Sequence, residues 1–169
     1  MEDEFTFRCV YCLKRMLWAP TDIWTIDHVI SQDEAPELEC AYDNLVFACQ
    51  FCNHRKSYHR VADPCRVAYG SCLRVESSGL VTPLNRIGKR LVDTIRLNHD
   101  RYVQERLKTM RHLLAIAQVD PAEFERLMGF PSNLPDLAGL KPPQGNRRPQ
   151  GVAQSFLALR MRAELPKTY

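Results

Sequence analysis

No apolar run in these 169 residues reaches the length of a bilayer span, which excludes a membrane-crossing helix as the organising feature. The start, Met1-Glu2-Asp3-Glu4, lacks the basic character of a secretory signal, so a cytosolic, reducing compartment is expected. No internal repeat is visible, and no recognisable RNA-binding signature. Net charge is only +3, which does not mark the chain as a whole as a polycation. What remains is ordinary for a soluble globular protein: 45% hydrophobic and 25% charged residues, enough for one modest core with a small metal-stapled unit beside it.

The charge is unevenly placed. Residues 1–60 carry six Lys/Arg against ten Asp/Glu, residues 84–118 eight against three, and residues 131–169 six against two. The acidic part suits a cation, and the basic parts could lie along a phosphate backbone, although a charge run is more often a solvated face.

Cysteine is the exception to this plainness. In a reducing compartment, paired Cys residues read as metal ligands rather than disulfides. Cys9/Cys12 and Cys49/Cys52 form two Cys-x-x-Cys pairs, and four thiolates from two tight turns close a tetrahedron around a structural zinc with no position open for catalysis. Cys40, Cys65 and Cys72 are left over and are expected to be small buried apolar side chains.

Between and beside the pairs lie Asp27-His28, Asn44-Leu45 and Asn53-His54-Arg55-Lys56. An Asp, a His and two Asn do not suit a soft metal; they suit a hard cation beside a general base, the requirement for hydrolysing a phosphodiester. Each residue has a bland alternative. Asn44 could be a turn residue and Asn53 a helix N-cap. If Asp27 and His28 lie on one strand they point to opposite faces, so a bulge or turn there is expected if both serve one site.

Along the chain, residues 5–18 suggest a short hairpin or knuckle, 23–30 a strand ending near Asp-His, 31–42 a loop, 45–48 a short strand, and 53 to about 60 a helix. Ser77-Ser78-Gly79 suggests a hairpin turn. Thr82-Pro83 is read as an N-cap and first position of a helix carried by Leu84, Ile87, Leu91, Val92 and Ile95. Asn98 is read as the cap of a second helix running to about Ala117, and Asp120-Pro121-Ala122-Glu123 as the capping box of a third, ending at Gly129. Residues 131–151, with five Pro and three Gly, suggest an arm, and 152–165 a small amphipathic helix. The expected organisation is a zinc-stapled core over 1–62, a hairpin and helical extension over 63–130, and the arm with its terminal helix over 131–169.

The order Cys9-Val-Tyr-Cys12, Asp27-His28, Asn44-Leu45, Cys49-Gln-Phe-Cys52-Asn53-His54-Arg55-Lys56 closely resembles the HNH endonuclease family over residues 9–60. The resemblance implies an α+β chain with a ββα-metal core stapled by a four-cysteine zinc site, followed by the hairpin and helices. It implies Asp27 and Asn53 as ligands of a catalytic divalent cation (magnesium or manganese), His28 as general base, and Asn44 as a catalytic-loop residue that braces the loop and orients the His. It implies the four Cys as structural zinc ligands, with Lys56 and its neighbours Arg55, Arg60 and His54 toward DNA. Many members have Pro two residues after the His; Ile30 stands here, which alters a turn rather than a catalytic group. The implied partner is DNA, with a homodimer or a second nuclease needed for double-strand cleavage. By analogy alone, a regulatory ATPase in anti-phage defence, or a mobile element, is the expected context. Two other readings stand beside it: a non-catalytic zinc module binding nucleic acid or protein, and an enzyme for another substrate such as RNA.

Overall fold

The computed structural model describes residues 2, 5, 7–19, 21–63, 67 and 72–127, without the side chains of 125 and 126. The arm and terminal helix expected over 131–169, Gly129 and Cys65 lie outside the described residues. The architecture is mixed α+β. Strands β1 (Trp24–His28) and β2 (Leu45–Cys49) pair antiparallel, and helix α1 (Gln50–Lys56) follows directly. A second two-stranded sheet, β3 (Leu73–Val75) with β4 (Val81–Pro83), leads into α2 (Arg86–Ile95), α3 (Asp100–Val119) and α4 (Pro121–Leu127).

The chain before β1 is the expected knuckle. Cys9 N–H donates to the Lys14 carbonyl (2.9 Å), Leu13 N–H to the Cys9 carbonyl (2.8 Å), and Arg8 bridges Arg15. Leu13 turns the chain at a left-handed φ of 60°, a conformation costing a non-glycine residue about 1–2 kcal/mol, so the surrounding bonds must hold it. Val10 N–H donates to the Phe47 carbonyl (3.0 Å), which fixes the knuckle to β2.

One core joins these pieces. Phe5, Val10, Val46, Phe47, Leu73, Val81, Leu91 and Ile95 belong to a single buried cluster, and Trp24 stacks on Phe47 (centroids 5.2 Å apart). The knuckle, the first sheet, the hairpin and α2 therefore share an interior. Phe51 of α1 meets Tyr102 of α3 (4.2 Å), and Lys14 reaches Glu105 (2.9 Å), fixing α3 beside the sulfur-bearing end of the core.

Several local expectations shift. Helix α1 begins at Gln50 and stops at Ser57, which has φ 49° and ψ −132°, so Asn53 lies inside the helix rather than at its N-cap, and His59 and Arg60 lie beyond it. Thr82-Pro83 closes the hairpin instead of opening a helix; Asn85 is the N-cap, its side chain accepting from Gly88 N–H (2.9 Å). Hairpin pairing wins because Thr82 sits opposite Arg74 in the ladder. Asn98 caps nothing: it binds both backbone groups of Val81 (2.8 and 2.9 Å), tying the α2–α3 link to β4, while His99 caps α3. Asp120 does cap α4, accepting from Glu123 N–H (3.0 Å). Cys72 is buried as expected, but Cys40 is exposed, since it lies in the polar loop between β1 and β2.

Gly88 shows which force decides here. Helix propensity alone favours Ala by about 1 kcal/mol. A Cβ at Gly88, however, would meet the Cys72 carbonyl oxygen at 1.9 Å, a backbone atom that cannot swing away. Gly88→Ala is expected to lose about 1–3 kcal/mol as α2 is pushed off the hairpin. Urea unfolding measures it, and a neutral or stabilised variant would contradict this packing.

Candidate functional site

Two sites of opposite chemistry lie in the first sixty residues. The first is the sulfur cluster. Cys9 and Cys12 come from the knuckle, Cys49 ends β2, and Cys52 lies in the first turn of α1. All four sulfurs lie within 4.8 Å of one another, with Cys12 Sγ and Cys49 Sγ 3.9 Å apart. A tetrahedral zinc with Zn–S of about 2.3 Å gives edges of about 3.8 Å. A disulfide would need about 2.05 Å. The spacing fits the ion and not the covalent bond. Hydrogen bonds from Cys12, Cys52 and Cys9 pull the Cys49 thiol far below its ordinary range, while burial pushes Cys9 up. Zinc would replace the protons these sulfurs share.

The second site is an open cleft of about 340 Å³, lined by Asp27 and His28 from β1, Asn53 from α1, and residues including Gln32, Asp33 and Tyr58. The expected bulge is not there: Asp27 pairs with Val46 and His28 with Leu45 in unbroken register. His28 is the last rung, so both residues reach one cleft around the open end of the ladder rather than through a bulge.

His28 Nε2 lies 2.9 Å from the Glu39 carbonyl oxygen. A carbonyl only accepts, so Nε2 carries a proton here, and a neutral ring in this pose would have its lone pair on Nδ1. Asn53 is oriented in the same way: its Nδ2 donates to Thr25 Oγ1 (3.1 Å), whose hydroxyl donates to the Ala48 carbonyl (3.3 Å), leaving the amide oxygen as the free ligand atom.

Asp27 is buried, only 5% exposed. Tyr11 donates its hydroxyl to Oδ2 (2.6 Å), and Lys56 Nζ lies 3.4 Å from Oδ1. Burial pushes the Asp27 carboxyl above its ordinary range, opposed first by the Lys56 charge and then by the Tyr11 hydrogen bond. One carboxylate and one amide oxygen in an open cleft are hard ligands, suited to magnesium or manganese and leaving room for water and phosphate.

The other predicted residues are placed differently. Asn44 does not line the cleft. Buried behind it, Asn44 accepts from Ile30 N–H (2.8 Å) and donates to the Ile30 and Leu38 carbonyls (2.9 and 3.3 Å). It therefore holds the loop whose next residue, Glu39, meets His28, and acts on the ring at one remove. Lys56, expected toward DNA, is 1% exposed, with Nζ on the His28 carbonyl (2.5 Å) and beside Asp27. Its ammonium is enclosed because α1 packs on β1, so it faces the carboxylate instead of solvent. Arg60 pairs with Glu34 through both its Nε and Nη2. Arg55 lies over the Phe51 ring (5.0 Å), and His54 is exposed on α1. Tyr11 was missed: as the spacer inside the first Cys pair it carries no sequence signal beyond its place.

Two outcomes follow from this geometry. Structural zinc contributes about 10–16 kcal/mol in isolated finger peptides, as much as a whole domain's margin of about 5–15. Elemental analysis should find one zinc per chain, and chelation should abolish the folded circular dichroism signal; a metal-free folded protein would refute the site. In Tyr11→Phe, the buried carboxylate loses a donor. A hydrogen bond to a charged group contributes about 1.5–3 kcal/mol. The Asp27 pKa, already raised by burial, should therefore climb further. Carbon-13 NMR titration of the carboxyl reads this directly, and an unchanged midpoint would remove Tyr11 from the site.

Residues 9–59 match the family model described as HNH endonuclease, so the match begins at the first zinc-type cysteine and ends just past α1. No curated protein and no solved structure matches the chain. The matched segment holds both the sulfur cluster and the Asp27–His28–Asn53 cleft. Over residues 9–59 the chain is thus similar to HNH endonuclease domains, and its four-cysteine cluster fits the zinc-stapled type of that family.

Proposed function

We propose that the protein is a metal-dependent DNA endonuclease, with His28 as general base and Asp27 and Asn53 as the seat of one divalent cation. The observation that carries this reading is the 2.9 Å contact between His28 Nε2 and the Glu39 carbonyl oxygen, on a side chain that lines the cleft. A carbonyl there takes an N–H from Nε2, which assigns Nδ1 the role of proton acceptor at the cleft that Asp27 and Asn53 also line.

In this reading His28 Nδ1 accepts a proton from a water aligned with the scissile phosphorus, and its ring, held by Glu39, does not reorient during the transfer. A cation on Asp27 and Asn53 would supply positive charge against the phosphate and the departing sugar oxygen. Lys56 holds Asp27 and the end of β1 in place through the carboxylate and the His28 carbonyl. Asn44 keeps the Glu39-bearing loop in register. A single cleft of this kind cuts one strand, so breaking both strands requires two copies or a second nuclease.

Supercoiled plasmid with magnesium or manganese tests the reading. Wild type should nick it. His28→Ala should lose a factor of about 10²–10⁴, the usual contribution of a positioned general base. If wild type and His28→Ala are equally inert while both bind DNA, the domain is a non-catalytic zinc module; matched RNA in parallel identifies the substrate.

A further inference from the structure

The nuclease core is short of available positive charge. Residues 1–60 carry a net −4 (six Lys/Arg against ten Asp/Glu). Of the cations nearest the cleft, Lys56 is enclosed against Asp27, Arg60 is paired with Glu34, and Arg55 lies on Phe51. A DNA strand entering the cleft meets an acidic surface, and the charge that holds its backbone must come from elsewhere.

Helix α3 supplies it. Arg101, Lys108 and Arg111 recur at spacings of seven and three, which sets them along one side of the helix, and all three are exposed. No ion pair engages any of them among the described residues. Glu105, the acid nearest in sequence to Lys108, is turned onto Lys14 (2.9 Å) and does not neutralise the stripe. At about 1.5 Å per residue the stripe spans about 15 Å, or some four to five base pairs at about 3.4 Å each.

Its position connects it to the site. An open cleft of about 550 Å³ runs between α3 and the start of the core, with Arg101, Gln104 and Lys108 on one side and Ile23 and Gln50 on the other; the two acids in its lining, Asp22 and Glu105, are both paired with Lys14. Ile26 and Asn53, three residues further along the same two segments, line the catalytic cleft. That step is about 10 Å along a strand and about 4.5 Å along a helix, within the reach of two or three nucleotides. A solvated helix face would need no such alignment with the cleft.

We propose that Arg101, Lys108 and Arg111 of α3 form a phosphate track that holds duplex DNA on its approach to the Asp27–His28–Asn53 cleft. The track rests on the nuclease reading for its purpose, but its existence can be tested apart from cleavage. In a His28→Ala background, binding of a short labelled duplex is followed by fluorescence anisotropy over a range of salt. Arg101→Gln, Lys108→Gln and Arg111→Gln together remove three phosphate contacts, so the slope of log K against log salt should shrink by about 2.7. The dissociation constant should rise at least tenfold. Arg74→Gln, on the β3–β4 hairpin, is the control for a charge lost away from the track and should leave both unchanged. Zinc content and circular dichroism confirm that each variant is folded. An unchanged slope and affinity in the triple variant, an equal loss in Arg74→Gln, or preferential displacement of the duplex by RNA or an acidic polypeptide would overturn the track. If the triple variant weakens binding but wild-type protein never cuts DNA with either metal, the nuclease reading fails and the track stands. If wild type cuts and the triple variant binds as before, the reverse holds.

Discussion

A carboxylate withdrawn from water fixes the design of this domain. Asp27 is buried on β1, and three separate parts of the chain converge to make that burial tolerable: Tyr11 from the knuckle, Lys56 from the end of α1, and the backbone of β1 itself. An unpaired charge in such a place costs several kcal/mol, and removing either partner of a buried pair costs about 3–5. The charged network therefore holds the knuckle, strand and helix in one arrangement. Since Tyr11 lies between Cys9 and Cys12, the sulfur cluster and the carboxylate are parts of one rigid body.

That linkage joins a sulfur cluster and a cleft of carboxylate, imidazole and amide within about fifty residues. The soft site is closed on all four sides and contributes only to folding. The Asp27–His28–Asn53 cleft is open and, in the proposed reading, would leave a bound hard cation positions for water and phosphate. The scaffold transmits order from one to the other through a single hydroxyl of 2.6 Å reach. Groups outside the two clusters hold the cleft in shape. Asn44 braces the loop, Glu39 offers a carbonyl, and Thr25 orients an amide.

Helix α3 relates to this core in two ways. Tyr102 and Glu105 face inward, toward Phe51 and Lys14, and Arg106 spans to the carbonyls of Gly79 and Leu97. Arg101, Lys108 and Arg111 face outward. The weak apolar periodicity of the helix follows: of its residues only Leu113 is deeply buried, and Leu114 and Val119 remain exposed. Polar anchoring rather than a continuous apolar stripe seats it.

The sequence alone determined the parts whose chemistry is local. The two Cys pairs do meet in one four-sulfur cluster, Asp27, His28 and Asn53 do line one cleft, and the hairpin around Ser77-Ser78-Gly79 follows from turn chemistry. Tertiary structure decided everything that depends on which face a side chain meets. Lys56 turns inward because α1 packs against β1; Thr82-Pro83 pairs with β3 before it can start a helix; Asn98 binds Val81 across the fold instead of capping the helix beside it. Spacing along a chain fixes which groups can share a turn, but burial and cross-strand hydrogen bonds arise between segments far apart in sequence, and only the folded packing brings those together.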